Sequence, residues 1–270
     1  MPFLIVLDNV PLEGRRKKLK SMDAKLNLPS EAFEEPDYCK YNSNGEILEE
    51  CIDKTITSYV VKNGCKVIGE RAFDGCIKLT EIILPASLEE IDESAFEGCV
   101  KLSTIDLSCV KEIGDCAFFS CTSLKDLVSS NRIKHIGSRA FQHCTSLREI
   151  RLSDKMNTIE EGAFSDCLSL RKVYNWPNVD NIKKEAFMNC WHLNDIHLPN
   201  CLTSIGDSAF ESCDCLTEIE LPINLQQLGH RAFANCSNLR KVIANTLKFV
   251  NDAFEGCDRI QQIEKKEFNQ

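Results

Sequence analysis

Nowhere in this 270-residue sequence do apolar residues run on for the roughly 18 positions that a membrane-crossing helix needs, and no such helix is expected. The first residues, Met1-Pro2-Phe3-Leu4-Ile5-Val6-Leu7-Asp8, lack a basic start. Their apolar stretch stops well short of the roughly 7 to 15 residues of a signal-peptide core. The last residues, Lys265-Lys266-Glu267-Phe268-Asn269-Gln270, carry no anchor pattern. As it stands the sequence therefore reads as cytoplasmic. Positive charge is also short, with 32 Lys and Arg against 41 Asp and Glu and a net charge of -9. That balance offers no electrostatic footprint for nucleic acid or an anionic membrane and favours a basic partner surface. Catalytic signatures are missing as well: there is no Gly-x-Ser-x-Gly elbow, no phosphate loop and no His-Glu-x-x-His. No catalytic residue, cofactor or metal ligand is expected.

What the sequence does have is a repeat. Ala-Phe-x-x-Cys occurs nine times, beginning at Ala72, Ala95, Ala117, Ala140, Ala163, Ala186, Ala209, Ala232 and Ala253, at steps of 21 to 23 residues. A fixed period of that size marks a solenoid, whose units bury their apolar faces only against stacked neighbours. Each unit reads Leu-x-x-Ile-x-Leu-Pro, then apolar-x-x-Ile-Gly, then x-x-Ala-Phe-x-x-Cys-x-x-Leu. The coil from Leu193 shows the pattern most fully. There Ile196 and Leu198 alternate with His197, which predicts a strand with one buried face. Pro199 would end it, and Gly206 would supply the permissive dihedrals of a tight corner. Equivalent strands are expected at Ile82, Ile150 and Ile219, stacked in parallel. Pairs such as Leu88 and Ile91, Ile133 and Ile136, or Leu225 and Leu228 predict a second run of short extended segments in the opposite half of the coil. The signature phenylalanines, Phe73 to Phe254, should fill the core between the two walls.

Sixteen cysteines would ordinarily indicate an oxidised, secreted protein, but nine of them close the signature (Cys76, Cys99, Cys121, Cys144, Cys167, Cys190, Cys213, Cys236 and Cys257). Free Cys is small, apolar and strongly buried, so these read as a ladder of inert thiols. Parallel side chains in a column point the same way and an odd number cannot pair completely, which argues against ladder disulfides. The remaining seven, Cys39, Cys51, Cys65, Cys109, Cys116, Cys201 and Cys215, share no phase. Cys190-Trp191-His192 and Cys213-Asp214-Cys215 are isolated groups, short of the four converging ligands of structural zinc.

The unit resembles the BspA-like leucine-rich repeats, over about Thr57 to Ile263. The resemblance implies a leucine-rich-repeat solenoid, mostly β, with short parallel strands stacked on the concave face. It further implies non-catalytic binding, often adhesion, and a cell-surface or secreted location as the alternative to the cytoplasmic one.

Residues 1–37 do not fit the repeat. Phe3 to Leu7 could form a strand and Glu13 to Leu26 a helix, while the basic run Arg15 to Lys20 is outweighed by nearby acids. The solenoid is expected over 38–270. Within it, 38–56 would form a cap hairpin turning at Asn44-Gly45, 57–263 the repeats and 264–270 a tail, with Lys265 where a buried Leu would otherwise stand.

Outward strand positions hold the most varied chemistry. One row runs Glu149, Lys172, Asp195 and its neighbour Arg151, Tyr174, His197, with Trp176 close by in Asn175-Trp176-Pro177. These seven residues form the candidate ligand-binding site, because Arg and aromatic side chains are common interface anchors. The competing account is a solvated sheet with cross-strand ion pairs such as Glu149 with Lys172, worth a few tenths of a kcal/mol. The sequence thus reads as a monomeric, non-enzymatic recognition scaffold for a protein ligand, with a glycan as the second ligand class. A cysteine-based redox or enzymatic protein and a structural spacer are the alternatives.

Overall fold

In a computed structural model, residues 38–129, 131–194, 196–244 and 252–265 are described below. The strand and helix expected before residue 38 lie outside them. Described residues form β-strands and turns with no helix, and so none long and apolar enough to cross a membrane.

The solenoid opens with an antiparallel hairpin, β1 (Cys39–Tyr41) and β2 (Ile47–Cys51). Asn42 caps its turn, accepting at Oδ1 from Ile47 N, and Gly45 sits at φ 73. Two parallel series follow. The longer strands are β3 (Ser58–Val60), β5 (Glu81–Ile83), β7 (Thr104–Leu107), β9 (Asp126–Ser129), β11 (Glu149–Arg151), β13 (Lys172–Tyr174), β16 (Glu218–Glu220), β18 (Lys241–Ala244) and β19 (Gln262–Lys265). Alternating with them are two-residue strands: β4 (Val67–Ile68), β6 (Glu90–Ile91), β8 (Glu112–Ile113), β10 (His135–Ile136), β12 (Thr158–Ile159), β14 (Asn181–Ile182), β15 (Ser204–Ile205) and β17 (Gln227–Leu228). Register is in phase throughout, as in Ile150 opposite Val173 and Ile182 opposite Ile205. The short series makes the more continuous wall, as sheets β1-β2-β4-β6-β8-β10 and β12-β14-β15-β17. The long series divides into β3-β5, β7-β9, β11-β13 and β16-β18-β19.

One expected strand does not form. Residues 196–198 carry no strand, although their coil has the fullest repeat pattern.

Between the walls lies the phenylalanine column. From Phe73 to Phe254 each ring stacks on the next at centroid distances of 5.0 to 5.5 Å, with planes 2° to 12° apart. Rings stepped by one coil rise can stack only if every coil presents Phe in the same rotamer, which the constant phase secures. The signature backbone also bonds from coil to coil. Arg71 N–H donates to Glu93 O, Phe73 N–H to Ala95 O and Gly75 N–H to Glu97 O, and later coils repeat the set. Alternation of right- and left-handed residues makes this possible. The residue before Ala (Arg71, Ser94, Glu185) and the residue before Cys (Ser120, Asp166, Asn189) have φ between 52 and 59.

Gly206 has a different role from the corner dihedral expected of it, since its φ is not positive. A Cβ there would lie 2.5 Å from Lys184 N and 2.7 Å from Lys183 C of the preceding coil, and at Gly229 it would lie 2.4 Å from Asp207 N. Glycine at these points is demanded by close approach of backbones.

Candidate functional site

Outward positions of the long strands carry the candidate residues. On β11, Ile150 is buried and its neighbours Glu149 and Arg151 are exposed; on β13, Val173 is buried between half-buried Lys172 and Tyr174. Parallel pairing sets Glu149 beside Lys172 and Arg151 beside Tyr174. The Arg151 guanidinium lies 5.4 Å from the Tyr174 ring centre, within range of cation–π attraction. His197, in the next coil, is exposed. Asp195 lies outside the described residues.

Trp176 does not belong to this surface. Only 5 % of it is accessible, and its ring meets Phe187 edge-on at 6.1 Å and 82°. The position itself is an inward one, since its equivalents Pro85, Ser153, Pro199 and Pro222 in other coils are buried too. Left-handed Asn175 stands where the strand usually ends in leucine and donates from Nδ2 to Leu152 O at 3.0 Å. The structure therefore brings together Glu149, Arg151, Lys172 and Tyr174, sets His197 beyond them, and assigns Trp176 to packing.

The signature cysteines have a shared bonding pattern. In eight coils the thiol S–H donates to the carbonyl of the signature Phe one coil earlier, from Cys99 to Phe73 O at 3.2 Å through Cys257 to Phe233 O at 3.0 Å. That carbonyl already accepts its own coil's Cys N–H, as Phe73 O does from Cys76, so the thiol uses the second lone pair. A small apolar side chain with one weak donor meets this need, and Cys is the residue that has both properties. Burial pushes the Cys99 thiol up to about 12 and likewise raises Cys121, Cys144, Cys167, Cys190 and Cys213 above the ordinary value. Such thiols are not nucleophiles near neutrality. Out of phase, Cys109, Cys116, Cys201 and Cys215 are partly exposed, whereas Cys39, Cys51 and Cys65 are buried.

One polar cluster superficially resembles a hydrolytic centre. Asp166 accepts from Asn189 Nδ2 at 2.9 Å and Ser165 Oγ at 2.9 Å, with His143 Nδ1 at 3.7 Å. Ser165 is fully buried and spends its proton on the carboxylate, so no base stands ready to activate it. Among the described residues no group of three or more His, Cys, Asp or Glu is arranged to hold a metal ion.

A model described as a BspA type leucine-rich repeat region matches residues 49–171 and 157–269. The chain belongs to that family. Solved structures share the fold. A leucine-rich repeat protein from Bacteroides ovatus is 26% identical with a TM-score of 0.64, covering 82% of this chain and 64% of its own. The T. pallidum leucine-rich repeat protein is 28% identical with a TM-score of 0.53, over 60% of this chain and 90% of its own. One from Eubacterium ventriosum is 23% identical with a TM-score of 0.50, over 73% and 48%. The chain thus spans less than two thirds of the Bacteroides protein. No curated protein matches it.

Proposed function

We propose that this BspA-type repeat protein is a non-enzymatic recognition scaffold that binds a protein ligand through the long-strand face, around Glu149, Arg151, Lys172, Tyr174 and His197. The observation that carries the reading is the Arg151–Tyr174 stack, held at 5.4 Å on adjacent parallel strands whose inward residues are core. An Arg already ordered on an aromatic ring loses less side-chain freedom on binding than a free one, which is what an interface anchor needs. Charges of both signs flank the pair, so an occupant would present an acidic group to Arg151 and Lys172 and a basic one to Glu149. Adhesion is one use of such a face.

The test is an affinity pull-down with the wild type beside the double variant Arg151→Glu, Tyr174→Ala. Partners specific to the wild type should be lost from the variant, with binding weaker by at least about 2 kcal/mol. The thermal midpoint should move little, because both side chains face outward. Retained binding by the double variant, together with loss on mutating the short-strand wall, would place the binding face elsewhere.

A further inference from the structure

Where the solenoid begins, the thiol pattern changes. Cys39 and Cys51 are register partners on the two strands of the cap hairpin, and both are completely buried. The next pair along, Tyr38 and Ile52, is joined by a hydrogen bond from Ile52 N–H to Tyr38 O at 2.7 Å. Hydrogen-bonded and non-hydrogen-bonded pairs alternate along an antiparallel ladder, so Cys39 and Cys51 form a non-hydrogen-bonded pair. In agreement, the Cys51 N–H points the other way, to Ala72 O at 2.7 Å. Partners in such a pair project from one face with Cα atoms about 4.5 Å apart, inside the span that a disulfide bridges. Ladder cysteines differ in geometry, because they follow one another in parallel coils with their thiols donated to Phe carbonyls, whereas the Cys51 thiol has a cross-strand partner and donates to Asp53 O at 3.3 Å.

Cys76 completes the group. It is the first signature cysteine, and where later coils offer a Phe, the coil before it offers Cys51, whose N–H bonds to Ala72 O as Phe73 N–H bonds to Ala95 O. The fully buried Cys76 thiol consequently meets Cys51. Thiol donors from Cys39 and Cys76 converge on the Cys51 sulfur and hold its pKa well below the ordinary value, while the shared proton raises that of Cys76. Of the two cross-strand sulfurs, Cys51 is therefore the one in contact with both other thiols and the one placed to attack first.

We propose that Cys39 and Cys51 are a thiol–disulfide site that locks the amino-terminal cap when the protein meets an oxidising low-molecular-weight disulfide such as oxidised glutathione. The Cys51 thiolate attacks one sulfur of the small disulfide and releases one thiolate, leaving a mixed disulfide on Cys51. Cys39, giving up its proton, attacks the Cys51 sulfur and expels the second. Two protein thiols become one disulfide and the small disulfide becomes two thiols, so electrons and protons balance. Reagent reaches the buried pair by opening of β1, a three-residue strand at the end of the sheet. Closing the bond ties β1 over the edge of β2 and keeps the first coil of the stack covered; reduction leaves that edge free to open.

The experiment incubates the full chain in glutathione buffers of stepped redox ratio, quenches free thiols with acid and alkylating agent, and maps disulfides by peptide mass. Expected is a loss of two hydrogens located in a Cys39–Cys51 linkage, formed in the wild type and in Cys76→Ser and absent from Cys51→Ser and Cys39→Ser. Hydrogen exchange at β1 and β2 should slow on oxidation by on the order of a hundredfold, the scale set by closing a short loop. Exchange in the remaining coils reports whether each variant is folded, and Cys39→Ala and Cys51→Ala replace any serine variant that is not. The proposal is overturned if wild-type protein keeps all its thiols across the series, if the linkage maps to another pair, or if a mixed disulfide on Cys51 persists without resolution.

Discussion

Removing one ring from the middle of the phenylalanine column tests the architecture most directly. Phe164 is fully buried, with Phe141 at 5.5 Å on one side and Phe187 at 5.5 Å on the other. Phe164→Ala loses the transfer free energy of a buried ring and leaves a cavity bounded by two flat faces, together about 3 to 5 kcal/mol. Two stacking contacts of about 0.5 to 1.5 kcal/mol each fall within that total. Walls hydrogen-bonded on both sides of the gap cannot collapse into it. Phe254 offers the contrast, because it has one ring neighbour, Phe233 at 5.4 Å, and is 8 % accessible. Its coil is the last with the signature and can fray, so Phe254→Ala should cost less than half as much. Position also changes the form of the transition, since a repeat array is a chain of nearest-neighbour couplings and a central defect uncouples its halves. Urea unfolding followed by circular dichroism should show a lower midpoint and a broadened or two-step curve for Phe164→Ala, but a small parallel shift for Phe254→Ala. Equal shifts at the two positions, or a larger one at Phe254, would refute the account of the column as a coupled core.

Native alkylation should modify first the four partly exposed cysteines, Cys109, Cys116, Cys201 and Cys215, with Cys39 and Cys51 following slowly as β1 opens, and denaturant should release the other ten, as counted by intact mass. Modification of ladder thiols without denaturant would contradict their burial. Gly206→Ala should destabilise by about 1 to 3 kcal/mol because the new methyl meets backbone. Gly75→Asn should change stability by only a few tenths of a kcal/mol, because Asn189 and Asn235 already occupy that position at φ 59 and 58; thermal melts of the two variants should therefore rank in that order. Trp176→Ala should lower stability by about 3 to 5 kcal/mol in the same assay, as loss of a buried aromatic does, and a variant that melts like the wild type would return Trp176 to the surface.

Phase along the sequence was enough to read both walls, the Phe column and the signature thiols, because each of these depends on which side of the chain faces inward. Trp176 looked like a surface anchor because it stands in Asn175-Trp176-Pro177 without the usual strand leucine, yet the position after the strand is buried in other coils as well, as at Pro85, Ser153, Pro199 and Pro222. Features that depend on backbone handedness were hidden. A signal was available in the two left-handed columns. Across the coils the residues before Ala and before Cys include Arg, Ser, Glu, Asp, Asn, His and Gly but no β-branched residue, as positive φ requires. Cys39 escaped the repeat phase because β1 runs antiparallel to β2, and Cys51 did because β2, though parallel to β4, precedes the first signature. Within the site, the neighbours Arg151 and Tyr174 follow from the common strand phase, whereas the missing strand at 196–198 does not, since its own residues keep the regular pattern.

The ladder bonds join each cysteine to a carbonyl 24 to 26 residues earlier. No contact of this kind skips a coil, so the array has no privileged length. Excision of residues 145–167 would carry Cys190 to the carbonyl of Phe141 and Phe187 to the Phe141 ring, restoring the same pairings across the join. Gene rearrangement that adds or drops whole periods would therefore lengthen or shorten the long-strand face while every junction stayed chemically familiar, and a half-period error would leave a thiol facing the wrong wall. For such a chain the heritable unit of change is the coil, and the size of the surface it presents can evolve separately from the interactions that hold it together.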